Sequence, residues 1–71
     1  MKTFSVYLTN FGYCLQDSFR SAEDAIARGK RAGFEFQVYA HDGASVFQDK
    51  NASLVATWSV FGGLRNYTEV L

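Results

Sequence analysis

Residues 21–40 read SAEDAIARGKRAGFEFQVYA, and the hydrophobic period changes partway along them. Over SAEDAIARGKRAG, residues 21–33, the apolar and small positions recur at helical spacing. At 100° per residue, Ala22, Ala25, Ile26, Gly29 and Ala32 fall on one core-facing arc. Ser21 is a good N-cap, with Asp24 three residues on in the place that a capping box gives to Glu. Glu23 and Asp24 in the first turn, and Arg28, Lys30 and Arg31 toward the last, complement the helix dipole. Gly33 supplies the left-handed stop. The buried stripe is made of small residues, and Gly29 in mid-helix costs about 1 kcal/mol relative to alanine. A helix built this way is expected to lie close on a sheet whose facing residues are large.

From Gly33 onward the period becomes two. In FEFQVYAH, residues 34–41, Phe34, Phe36, Val38 and Ala40 point one way, while Glu35, Gln37, Tyr39 and His41 point the other. Asp42-Gly43 then signals a turn. The same alternation precedes the helix. Residues 3–9 set Phe4, Val6 and Leu8 against Thr3, Ser5, Tyr7 and Thr9, and Asn10-Phe11-Gly12 marks a tight hairpin. A second strand over 13–18 turns Tyr13 and Leu15 inward and Cys14 and Gln16 outward. Residues 44–47 read as a short strand or a loop, and 48–51 as a turn. A last strand over 54–61 places Leu54, Ala56, Trp58 and Val60 inward and Val55, Thr57, Ser59 and Phe61 outward, with Gly62-Gly63 ending it. Residues 64–71 show no clean period but are apolar enough to dock as a tail.

The expected fold is therefore α+β, with the order β-β-α-β-β in one domain spanning 1–71. It is a two-layer arrangement of a four-stranded antiparallel sheet and one helix packed on one face. The aromatics expected beneath the helix are Phe4, Phe34, Phe36 and Trp58. Pattern alone does not decide the strand order.

Composition narrows the class of function. The chain has 71 residues, 48% of them hydrophobic and 17% aromatic, which argues against disorder. Lys+Arg and Asp+Glu each number 7, giving no net charge, so the chain lacks the basic excess of a dedicated nucleic-acid coat. One cysteine and one histidine leave no intramolecular disulfide and too few ligands for a structural zinc. The first residues lack the unbroken apolar stretch of a signal peptide, and no segment is long enough to span a bilayer. A cytoplasmic protein without a membrane partner is the expectation.

The residues offer three candidate chemistries. A Cys14–His41 dyad with Asp42 orienting the imidazole would need a base in hydrogen-bond reach and a field that stabilises thiolate. No sequence context around Cys14 provides that field, and so short a chain leaves little room for a cleft. No catalytic residue is assigned. His41-Asp42-Gly43 could form a metal or pH-sensing corner, but one imidazole is too few ligands. Gly62-Gly63 follows a strand without a helix after it, so no phosphate loop and no cofactor are implied.

What remains is the sheet face without a helix. Its expected members include Tyr7, Gln37, Tyr39, His41 and Phe61, a set rich in aromatics and poor in charge. Tyrosine is enriched at interfaces because its ring buries area while its hydroxyl keeps a polar partner. The observations imply a non-enzymatic protein-binding module, with a small phage or mobile-element inhibitor of a host protein complex as one form of that role. The partner is another protein or a second copy, as a homodimer. The alternative is a nucleic-acid-binding domain that uses the sheet aromatics, or the basic helix end formed by Arg28, Lys30 and Arg31.

Overall fold

The structure, a computed structural model, describes residues 3–42 and 52–66. Two strands, β1 (Thr3–Leu8) and β2 (Tyr13–Phe19), precede the helix α1 (Ala22–Ala32), and β3 (Phe36–His41), β4 (Ser53–Ser59) and β5 (Gly63–Asn66) follow it. All five strands form one sheet in the order β2-β1-β3-β4-β5, with every neighbouring pair antiparallel. The α+β class and the single helix on an antiparallel sheet are as the pattern predicts, but the sheet has five strands rather than four. The added strand is β5, in a segment expected to be a docked tail. Gly63 takes a left-handed conformation at φ 69°, which reverses the chain and lets Leu64, Arg65 and Asn66 pair back onto β4. A four-residue strand is too short to display a period.

The helix forms as its sequence dictates. Ser21 Oγ accepts from the Asp24 backbone N–H, and Gly33 closes the last turn at φ 81° with its N–H donating to the Lys30 carbonyl. Ala25 and Gly29 are buried, with Ala22 and Ile26 packed around them against the sheet. Val6, Leu8, Phe36, Val38, Ala40, Val55 and Ala56 complete the core.

Gly29 sits where the helix comes closest to the sheet. A Cβ built there would lie 2.7 Å from three atoms of the Phe36 ring, Cε1, Cε2 and Cζ. Phe36 has no exposed surface, and Trp58 stacks on it with ring centroids 5.7 Å apart and planes tilted by 15°. The ring is thus held between the helix backbone and the indole. Phe36 also sits at the centre of one row of directly paired residues, Tyr13–Leu8–Phe36–Trp58–Leu64, that crosses all five strands.

Several expected positions are corrected. Phe34 is not in a strand and does not face the helix; it is exposed. The chain leaves Gly33 in a left-handed turn and uses residues 34–35 to climb back to the sheet, so β3 begins at Phe36. Tyr13, expected inward, lies on the edge strand and is exposed. β4 ends at Ser59 rather than residue 61, and Val60 and Phe61 belong to the turn.

A bulge changes the faces of β4. Val38 pairs with Ala56 but Tyr39 with Leu54, which leaves Val55 as an extra residue. Val55 is consequently buried in the core, and Leu54 shares the face of Tyr39. Both were expected the other way round. The turn over 44–51 and the tail residues 67–71 lie outside the described residues.

Gly29→Ala gains about 1 kcal/mol of helix propensity but forces a methyl group into a ring that cannot move aside. Overpacking typically costs about 1–3 kcal/mol, so the variant is expected to melt below the wild type. A higher melting temperature for Gly29→Ala would contradict this contact. Trp58→Ala removes the support behind Phe36 and should cost about 3 kcal/mol in urea unfolding.

Candidate functional site

The face opposite the helix carries a second row of paired residues, Cys14–Tyr7–Gln37–Thr57–Arg65. Tyr7 and Tyr39 meet edge to face with centroids 6.5 Å apart, and the Tyr39 hydroxyl donates to Gln37 Oε1 at 2.8 Å. The structure therefore brings three predicted contact residues together, each of them half-buried. Burial, and secondarily the nearby Tyr7 and Cys14, raises the Tyr39 hydroxyl above the usual tyrosine pKa.

His41 does not join this group as an accessible side chain. It has no exposed surface, and neither does Ser5, whose Oγ lies 2.6 Å from His41 Nε2. Thr3 Oγ1 lies 3.5 Å from the other ring nitrogen and donates to the His41 carbonyl oxygen at 3.3 Å. A serine hydroxyl this close to an imidazole has the spacing of a nucleophile and its base. Two observations argue against that use: both side chains are closed to solvent, and Nδ1 faces a threonine hydroxyl instead of a carboxylate. The pair is better read as a buried polar contact that locks β1 to β3. Sequence pattern missed it because alternation assigns residues to faces without saying which part of a face is covered.

The Cys14–His41 arrangement does not assemble. Cys14 pairs with Tyr7 and His41 with Thr3, four residues apart along β1, or roughly 13 Å at strand rise. Among the described residues, no group of three or more His, Cys, Asp or Glu side chains is placed to hold a metal ion.

Phe61 is also absent from the sheet face. It is 102% exposed at the tip of the β4–β5 turn, beside Val60 at 70%. The antiparallel register puts this tip in company. Leu8 pairs with Tyr13 and with Phe36, and Trp58 pairs with Leu64. The β1–β2 turn, the α1–β3 connection and the β4–β5 turn thus all lie at one end of the sheet. Phe11 from the first turn contacts Phe34 from the connection edge to face at 4.9 Å and lies 6.3 Å from Tyr13. Phe11, Tyr13, Phe34, Val60, Phe61 and Leu64 are all exposed there, and of the large apolar side chains exposed among the described residues only Leu54 lies elsewhere. The signal was present in the sequence as a Phe-Gly pair in both hairpin turns at this end, at 11–12 and 61–62.

Lys30, Arg31 and Arg65 belong to the same end, whereas Arg20, exposed just ahead of the helix N-cap, lies at the opposite one. Lys30 and Arg31 occupy the last turn of α1 and are exposed, whereas Arg28, one turn earlier, is half-buried. Arg65 is exposed two pairs in from the Ser59–Gly63 pair that closes the β4–β5 turn. Glu35 is the acidic residue nearby, and its carboxylate accepts from Thr9 Oγ1 at 2.7 Å. Glu23 and Asp24, at the start of α1, and Asp42, at the end of β3, mark the opposite end. No helix among the described residues is long and apolar enough to cross a membrane.

Replacing Ser5 with alanine leaves a buried imidazole nitrogen short of a partner, which is expected to cost about 1–3 kcal/mol in urea unfolding. An unchanged midpoint would show that the Ser5–His41 contact does not hold the sheet. The raised Tyr39 pKa has a sign that can be checked. The folded state keeps this proton at pH values where the unfolded chain has lost it, so that stability is present below pH 10 and is lost as pH rises through the folded value. Ultraviolet titration should find one tyrosine ionising later than the others, and Tyr39→Phe should remove that late step. No protein-family model, curated protein or solved structure matches the chain.

Proposed function

We propose that this chain is a non-enzymatic protein-binding module whose contact surface is the aromatic end formed by its three turns. The observation that carries the reading is the gathering of exposed Phe11, Phe34, Val60 and Phe61 at one end of a sheet whose core is otherwise closed. Exposed apolar side chains that cluster, as opposed to scattering singly, mark interaction sites. The Tyr7–Tyr39–Gln37 group is the weaker candidate, because its members are half-buried and hydrogen-bond to one another. An inhibitor from a phage or mobile element that occludes a host protein complex is one form of this role, and it suits a chain this small. A cytoplasmic setting belongs to the same proposal, since a lone cysteine suits a reducing compartment.

Nucleic-acid binding is the second reading, favoured by Lys30 and Arg31 beside the exposed rings, since aromatic side chains stack unpaired bases. It requires an affinity that falls steeply with salt.

The test compares wild type, Phe61→Ser and Tyr7→Ala/Tyr39→Ala as baits in lysate of the encoding cells, with and without nuclease. The expected result is a protein retained by wild type and by the double-tyrosine variant, indifferent to nuclease, and lost from Phe61→Ser. Loss from the double-tyrosine variant alone would return the site to the sheet face. Retention abolished by nuclease would favour the second reading.

A further inference from the structure

The surface that this aromatic end fits can be described from its shape and charge. Both hairpin tips at this end are held by internal hydrogen bonds from their own backbone amides. The Phe11 and Gly12 amides donate to the Leu8 carbonyl at 3.1 and 2.8 Å, and the Gly62 amide donates to Ser59 Oγ at 2.9 Å. A Cβ on Gly62 would come within 2.8 Å of that hydroxyl, and Gly12 and Gly63 hold left-handed conformations at φ 74° and 69°. Residue 62 therefore favours glycine for space, and residues 12 and 63 for conformation. The turns present Phe11, Val60 and Phe61 without ordering a loop on contact, so little entropy is lost when they are buried. Their internally bonded amides can also enter an apolar environment without stranding a donor.

Charge then selects what they enter. Lys30 and Arg31 flank the end on the helix side. Arg65 flanks it on the other face, in the row of Tyr7 and Gln37. The helix C-terminus offsets about half an elementary charge of this, and the Glu35 carboxylate, which accepts from the neutral Thr9 hydroxyl, offsets one charge more. The end stays net positive around an apolar centre. The acidic residues Glu23, Asp24 and Asp42 lie at the far end, where they do not oppose an incoming anion. A second copy meeting the first tip to tip would set cations against cations.

We infer that the partner is a protein surface with an apolar pocket rimmed by carboxylates, which Phe61 enters as the anchor while Lys30, Arg31 and Arg65 meet the rim. This rests on the protein-binding reading of the same end. Val60 and Leu64 favour a pocket over stacked bases, since aliphatic side chains give a base no ring to lie on.

The experiment is selection of a random phage-displayed peptide library on the purified protein, with counter-selection on Phe61→Ser. This variant is expected to keep its fold, because the ring is fully exposed; circular dichroism checks this. Enriched peptides should combine Leu, Ile, Met or aromatic anchors with Asp or Glu. As free synthetic peptides they should bind about tenfold more weakly to Phe61→Ser and to Lys30→Gln/Arg31→Gln. Arg65→Gln serves if the double variant fails to fold. Peptides that depend on Phe61 but lack acidic residues, or ignore all the charge variants, overturn the carboxylate rim and leave the protein-binding reading standing. No peptide distinguishing wild type from Phe61→Ser overturns both. Tighter binding to single-stranded oligonucleotides, or to vesicles of phosphatidylserine and phosphatidylcholine, overturns the inference in favour of that surface.

Discussion

The contact between Gly29 and the Phe36 ring sets the geometry of the whole domain. Only a residue without a side chain lets the helix backbone settle onto an aromatic ring, and the 2.7 Å that a Cβ would leave shows how little room remains. Phe36 lies in the central strand of five and carries Trp58 against it. One contact therefore couples α1, β3 and β4, and through direct pairing with Leu8 it reaches β1 as well. Because the helix runs back across the sheet to reach β3, this contact also fixes which end of the sheet receives its C-terminus. The cations at that end and the exposed turns are neighbours for this reason.

Much of this layout was legible in the residues. The helix limits, the N-cap at Ser21, the stop at Gly33 and the need for a close approach at Gly29 follow from local chemistry, and local chemistry is what sequence pattern records. The strand faces of β1 and of residues 36–40 follow equally well. Pattern failed where pairing with a distant strand decides the outcome. The Val55 bulge depends on register against β3, and it turned Leu54 out and Val55 in. β5 exists because the turn at 60–62 aims four residues at the β4 edge, which their own hydrophobicity does not encode.

The site was less legible than the fold. Tyr7, Gln37 and Tyr39 were correctly placed together, but alternation treated Phe61 and His41 as equivalent members of their face. One sits at a tip in solvent and the other is sealed beside Ser5. Period-two reading carries no information about the ends of strands, where turns begin, or about partial cover of a face. Phe34 was missed as a surface residue for the same reason: an aromatic next to a strand reads as core unless the strand's limits are known.

The end-on placement of Phe61 has an evolutionary consequence. Its side chain contributes nothing to the packing around Phe36, and the turn that displays it is closed by Ser59, Gly62 and Gly63. Residues 60 and 61 can therefore change identity without disturbing the core, while the turn keeps pointing whatever stands there in the same direction. On the proposed reading, stability and recognition rest on separate sets of residues in this chain. Selection for a new partner can act on the tips at little expense to folding, which is how a scaffold this small can diversify.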